Sequence, residues 1–260
     1  MRDILGDRDS NVPDVPTRVS EPSRESQLPK RFYKDVAVAS TDNGSFQIAL
    51  DGRGVKTPGR QPLILPAENL TQMVAEEWDA QSERIDPMTM PLTRLLNTAV
   101  DGVASDPQAV KEDIVRFAGT DMLCYRAGGP DELVVRQREQ WDPWIDWAQS
   151  ALGCRFELAE GVMHIEQPVE SIASFNTHVG MIDDNFVLSA THVITSLTGS
   201  ATLAMAVQKG ALGAAEAWRL AHLDEDWNIE QWGSDQEAEE RRDKRFIELK
   251  AACTVIDALR

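Results

Sequence analysis

The chain has little of what marks disulfide-rich, zinc-binding and membrane proteins. Its 3 cysteines, Cys124, Cys154 and Cys253, are far apart, and no Cys-x-x-Cys pair occurs. This argues against a disulfide framework and a zinc ribbon, and it indicates a reducing compartment. No run of about eighteen apolar residues occurs, so a membrane-spanning helix is not expected. Cys253 lies on an apolar helical stripe and is expected to be buried.

Positive charge is also scarce. The chain has 26 Lys and Arg against 43 Asp and Glu, which gives a formal net charge of −17. Phosphate backbones and anionic lipid surfaces would repel such a chain, so neither nucleic acid nor a membrane is an expected partner. The charge favours solubility and suits a protein that binds an aggregation-prone partner. We expect a monomer when the protein is free.

Local catalytic signatures are missing as well. The sequence has no GxxxxGK[ST], GxGxxG, HExxH or GxSxG motif, and its 4 histidines are far apart. The adjacent pairs Glu76–Glu77 and Glu239–Glu240 diverge around a helix and do not converge on one proton or metal. We therefore expect no enzyme, catalytic residue, cofactor or metal site. The alternative is a hydrolase or metal-dependent enzyme with a composite carboxylate–His site, in which His222 acts with Asp224 or Asp226.

The pattern of the chain predicts an α+β fold with a small antiparallel β-rich domain followed by a larger, mainly α-helical domain. Residues 1–27 are rich in Pro, Ser, Arg and acids and are predicted to be disordered. Residues 28–66 alternate apolar and polar side chains around the turn signal Asp42-Asn43-Gly44, which predicts a hairpin in the β-rich domain. Residues 67–260 are predicted to form the helical domain.

Several helix signals are local. Pro66 is predicted to be the first residue of one helix, and Asp106–Pro107 to start another. Asp142–Pro143 is either a fresh N-cap or a kink. Residues 186–210 are the most apolar stretch and are predicted to form a central buried helix or helix pair. In the last helix Phe246, Leu249, Cys253 and Ile256 recur at the spacing of one buried seam.

Residues 218–245 stand out from the rest. They hold Trp218, Trp227 and Trp232, three of the 7 tryptophans. Residues 224–240 contain no Lys or Arg but contain these carboxylates: Asp224, Glu225, Asp226, Glu230, Asp235, Glu237, Glu239 and Glu240. Gly233–Ser234 predicts that two helices meet here at a corner. The corner is either a presented surface or two solvated amphipathic helices with core tryptophans.

The blocks EEWDAQ, MPLTRLLNTA, RQREQWDP and LDEDWNIEQWGSDQEAEERR, together with the strand segments RFYKDV and LILP, occur in one order from about Lys30 to the C-terminus. In these blocks the chain resembles the ATP synthase F1 assembly chaperone family that binds the alpha subunit. The resemblance is to a bacterial, alphaproteobacterial-like member, and residues 1–27 take no part in it.

The resemblance implies a chaperone that binds unassembled alpha subunit, shields its subunit interface and releases it into the F1 hexamer. It implies the cytoplasm for a bacterial member and the mitochondrial matrix for eukaryotic relatives. A different acidic adaptor with another partner is a further alternative. Trp78 and Trp218 are expected to be structural, with Trp218 buried. The expected partner-binding residues are Glu240, Glu237, Glu239, Asp235, Trp232, Trp227 and Asp226.

Overall fold

A computed structural model describes residues 28–260, so the predicted tail at residues 1–27 lies outside the described residues. Strands β1 (Val36–Ser40) and β2 (Phe46–Leu50) form an antiparallel hairpin in which Val36 lies opposite Leu50. Gly44 has a φ of 74° in the turn, a conformation that glycine adopts without strain. The short strands β3 (Arg53–Gly54) and β4 (Ile64–Leu65) both pair with β2. The predicted hairpin and small antiparallel sheet are confirmed.

The rest of the described chain is mostly helical. Its α-helices are α1 (Glu68–Asp79), α2 (Pro91–Asp101), α3 (Pro107–Ala118), α4 (Asp131–Leu152), α5 (Val169–Gly180), α6 (Asn185–Thr198), α7 (Ala201–Gln208), α8 (Ala214–Ala221), α9 (Leu223–Trp232) and α10 (Gln236–Leu259). Single turns of 3₁₀ helix occur at Pro87–Thr89, Val103–Ser105 and Met122–Cys124. Two further short strands, β5 (Tyr125–Arg126) and β6 (Ala159–Glu160), pair in parallel.

The predicted helix start at Asp106–Pro107 and the predicted buried helix pair are present. The Oδ1 atom of Asp106 accepts a hydrogen bond from Ala109 N at 3.1 Å and caps α3. Residues 186–210 form a pair of helices, because Gly199 ends α6 with a φ of 68° and Ser200 caps α7. The prediction for Pro66 was wrong. Ala67 is extended, with φ −122° and ψ 130°, so α1 begins only at Glu68.

The predicted alternatives at Asp142–Pro143 are also decided. Helix α4 runs without a break from Asp131 to Leu152 and contains Pro143, so a fresh N-cap there was the wrong alternative. The carboxylate of Asp142 lies 2.8 Å from Arg126 Nη1 and forms an ion pair instead of capping a helix. Proline removes one backbone hydrogen bond from a helix. Buried residues of α4 before and after Pro143, such as Trp141 and Ala148, offset that loss.

One hydrophobic cluster joins the sheet to the helices. It includes Ile48 and Leu65 from the sheet, Leu70 from α1 and Leu249 from α10, all with no exposed side-chain surface. Burying such a side chain contributes about 1.5–3 kcal/mol. The predicted seam of α10 is confirmed for Leu249, Cys253 and Ile256, which are buried, whereas Phe246 is half-buried. The boundary near residue 66 stays a prediction, because this cluster draws on both sides of it.

Between residues 28 and 260 no helix is both long and apolar enough to cross a membrane.

Candidate partner-binding surface

The acidic corner, defined here as residues 223–241, is the junction of α9 and α10. Helix α9 ends at Trp232, and Gly233 has a φ of 84°, which turns the chain. The Oδ2 atom of Asp235 accepts from Ala238 N at 3.0 Å and so caps α10. Glu237 and Glu239 lie in the first turn of α10, where negative charge interacts favourably with the positive end of the helix dipole. The predicted corner is therefore present, and Asp235 is the residue that starts the second helix.

Three acidic side chains of α9 form hydrogen bonds or ion pairs with side chains on neighbouring helices. Asp224 Oδ1 accepts from Gln137 Nε2 at 2.7 Å, and Asp226 Oδ1 lies 2.5 Å from Arg242 Nη2. The two oxygens of Glu230 accept from both terminal nitrogens of Arg136, each at 2.8 Å. These contacts fix α9 against α4 and α10.

The bidentate pair has electrostatic consequences of its own. The hydrogen bonds from Arg136 lower the pKa of Glu230. The Arg136 guanidinium also lies 4.9 Å from the centre of the Trp227 ring, a cation–π contact. Trp227 itself is half-buried and packs against the hydrophobic core. Arg136 thus holds both the carboxylate and the indole in place.

The other two tryptophans have opposite surroundings. Trp218 is 8% exposed and stacks on His222 with 3.7 Å between ring centres, so it is buried as predicted. Trp232, the last residue of α9, is 88% exposed. Such high solvent exposure is unusual for tryptophan, which has the largest side chain and is mostly buried in folded proteins.

The acids of α10 point to solvent. Glu237 Oε1 accepts from Arg241 Nη1 one turn later at 2.7 Å, and Glu240 Oε1 accepts from Gln236 Nε2 at 3.1 Å. The carboxylate of Glu239 has no side-chain partner among residues 28–260. Exposed pairs of this kind add little stability, so these acids are available to another molecule. Their role in partner binding stays a prediction.

His222 does not form the composite site of the alternative hypothesis. Its Nδ1 atom lies 2.8 Å from Trp218 O, and burial lowers the pKa of its imidazole. Asp224 and Asp226 are engaged by Gln137 and Arg242, on neighbouring helices. In the described part of the chain, no group of three His, Cys, Asp or Glu side chains could hold a metal ion. Nothing in the structure supports the enzyme alternative.

A second acidic position, Glu77, has an internal role. Its Oε1 accepts from Leu92 N at 2.7 Å, while Oε2 accepts from Thr93 N at 2.8 Å and from Thr93 Oγ1 at 2.7 Å. Glu77 of α1 therefore caps α2, and we call this contact the Glu77 junction. Burial raises the pKa of this carboxyl group, an effect that the three hydrogen bonds oppose. The neighbouring Glu76 is exposed, so the adjacent pair diverges as predicted.

The Glu77 junction joins two of the blocks that carry the family resemblance, EEWDAQ and MPLTRLLNTA. Gln81, the last residue of EEWDAQ, accepts from Asp86 N at 2.8 Å and donates to Thr89 Oγ1 at 3.0 Å. Trp78 is half-buried, and its ring packs edge-on against Tyr33 with 5.8 Å between centres. Trp78 thus packs against the aromatic side chain before the sheet, and its structural role stays a prediction.

Comparison with known proteins places the chain in one family. The family model described as ATP12 chaperone protein matches residues 30–149. A solved protein from Agrobacterium tumefaciens, described as a candidate chaperone, is 52% identical with a TM-score of 0.86, covering 93% of this chain and 92% of that one. Atp12 from Paracoccus denitrificans is 37% identical with a TM-score of 0.82, covering 89% of this chain and 99% of that one. The mitochondrial protein atp12 of Schizosaccharomyces pombe is 25% identical over 252 residues, 92% of this chain and 85% of the relative.

Proposed function

Because this chain belongs to the ATP12 chaperone family, we propose that it binds the unassembled alpha subunit of ATP synthase F1, shields its subunit interface and releases it into the hexamer. The family consists of chaperones of ATP synthase assembly and not of enzymes. We further propose that this chain works in the bacterial cytoplasm. The relative from S. pombe is named as mitochondrial.

The observation that supports this proposal is the exposed Trp232 beside the exposed acids of α10. An unassembled subunit exposes an apolar interface that aggregates when it is left uncovered. Trp232, at 88% exposure, supplies an aromatic anchor of the kind that dominates binding energy at interfaces. Glu237, Glu239 and Glu240 supply negative charge that steers association and selects a basic partner surface.

The test is capture of purified F1 alpha and beta subunits by the full-length chain at matched concentrations. We expect capture of alpha but not of beta, and a lower yield of aggregated alpha on dilution from denaturant. Capture of neither subunit, or equal capture of both, would contradict the proposal. Co-purification of an unrelated partner from the native source, with no alpha subunit, would support the acidic-adaptor alternative instead.

A further inference from the structure

A trough runs along the outside of the Glu77 junction, far along the chain from the acidic corner. Its central part has a volume of about 480 Å³, and its walls include Trp78, Met90, Arg94, Asn97 and Thr98. A second depression of about 500 Å³ shares Trp78 and extends to Phe32, Val55 and Lys56. A third, of about 150 Å³, shares Arg94 and Thr98 and reaches Glu248 of α10. The three depressions are neighbours because each shares wall residues with the next, and together we call them the trough.

The wall of the trough contains polar atoms without partners. Trp78 Nε1, Arg94 Nε and Asn97 Oδ1 are each buried and have no hydrogen-bond partner within residues 28–260. All three belong to side chains that line the central part of the trough. A buried donor or acceptor without a partner costs free energy, so native structures seldom leave several together. All three atoms are shielded from solvent, so they lie behind the surface of the trough, and a ligand reaches them only when these side chains turn outward.

The trough also differs in charge from the rest of the molecule. Lys56 and Arg53 line its end near the sheet, and neither forms an ion pair among the described residues. The three acids on its walls already have partners, and Glu248 Oε1 lies 2.9 Å from Arg94 Nη2. Asp51 Oδ1 accepts from Lys34 N at 3.0 Å and from Asp35 N at 2.9 Å, and Asp101 Oδ2 accepts from Gly59 N at 2.8 Å. In a chain with a net charge of −17, Lys56 and Arg53 outnumber Asp51 at this end of the trough.

We propose that the trough is a second docking site, which binds an extended segment of the same unassembled alpha subunit. The segment places an apolar side chain between Trp78 and Met90 and a carboxylate near Lys56 and Arg53. This inference rests on the proposed function, because it takes the same client. Glu248 at the end of the trough lies on α10, which also carries Glu237, about 16 Å away at 1.5 Å per helical residue. One client could therefore span both surfaces.

Blocking the trough tests the inference. Thr98 is exposed on its rim, and its Oγ1 donates to Arg94 O at 3.0 Å. Thr98→Trp should fill the trough and weaken the affinity for isolated alpha subunit about tenfold. The matched control is Thr177→Trp on α5, where an exposed threonine donates to the carbonyl four residues earlier, also at 3.0 Å. The control should bind as tightly as the wild-type protein, and equal affinity of Thr98→Trp and Thr177→Trp would overturn the inference.

A second measurement does not depend on the folding of the tryptophan variant. A benzophenone amino acid at position 98 of the full chain should cross-link on irradiation to one segment of the alpha subunit, which mass spectrometry identifies. Cross-links only within the chain, or none, overturn the trough as a client site. If wild-type protein captures alpha while position 98 has no effect, only the trough inference fails. If wild-type protein does not capture alpha, the proposed function fails and the inference with it.

Discussion

Carboxylates are central to both the Glu77 junction and the acidic corner, but their surroundings differ. At the junction, Glu77 accepts three hydrogen bonds from Leu92 and Thr93 and is half-buried. At the corner, Glu239 faces water, and no side chain among residues 28–260 contacts its carboxylate. A buried acid that caps a neighbouring helix stabilises the fold, whereas an exposed acid without a partner adds little to it. Acid content alone therefore does not identify a binding surface.

The largest effect is expected at the junction. Glu77→Ala leaves the N–H groups of Leu92 and Thr93 without acceptors, so the free energy of unfolding should fall by about 2–4 kcal/mol. Urea denaturation measures this change. Glu76→Ala, at the exposed neighbour, is the control and should change stability by less than about 0.5 kcal/mol. Equal stabilities of the two variants would show that the junction does not stabilise the fold.

The next effect concerns binding and not stability. Trp232→Ala should weaken the affinity for alpha subunit by about 2 kcal/mol, or roughly thirtyfold, because an exposed indole is a typical interface anchor. Its melting temperature should stay unchanged, since the ring is 88% exposed. Met163→Ala, at a side chain that is 78% exposed elsewhere, is the control. Loss of affinity in both variants would argue for non-specific apolar contact.

Charge reversal at the corner should have a smaller effect that depends on salt. Glu239→Lys and Glu240→Lys should each slow association and weaken alpha binding about three- to tenfold at low ionic strength, and less at high ionic strength. Glu112→Lys is the matched control, because Glu112 accepts from Gln108 just as Glu240 accepts from Gln236. Binding kinetics measured at two salt concentrations check this. Equal effects at Glu112 would mean that only net charge matters.

The smallest effect is the pH dependence of stability at His222. Burial lowers the pKa of His222 in the folded state, while the unfolded chain has the ordinary value of about 6.5. The unfolded state therefore binds more protons below about pH 6.5, and stability should fall as the pH drops through that range. His222→Phe should remove this component, by less than about 1.4 kcal/mol per pH unit.

The acids with raised pKa values, such as Glu77, act in the opposite direction. They are the same in both proteins, so the difference between the wild-type and His222→Phe unfolding curves isolates the histidine. Parallel curves from pH 7 to pH 5.5 would contradict the assignment.

Local features of this fold could be predicted from the sequence. The Asn43–Gly44 turn, the Asp106 cap and the Gly233 corner each depend on a few neighbouring residues, and all three are present. The cap at Glu77 and the pair of Gln137 with Asp224, 87 residues apart, could not be predicted. Such contacts depend on which helices pack together, and periodicity does not specify that. For the same reason, the contacts of Arg136 with α9 could not be predicted, although the block RQREQWDP contains this residue.

Residues on the trough wall were missed for a related reason. Trp78 and Asn97 carry no chemical signature in the sequence, and only their unpaired polar atoms in the folded chain distinguish them. One partial indication was present, since Trp78 lies in a block that carries the family resemblance. That block could be explained by the Glu77 junction alone, without a groove beside it.

The ion pairs that anchor α9 have a consequence for the lifetime of a complex. Arg136 and Arg242 fix the helix on two sides, so Trp232 is held at the end of a preorganised backbone before any client arrives. On the proposed function, association then needs no slow rearrangement of α9, and contacts at Trp232 set the dissociation rate together with those in the trough. A client held at Trp232 alone, without contacts in the trough, would have a short residence time. Rapid dissociation would let a competing subunit take over the client surface without any input of energy from nucleotide hydrolysis.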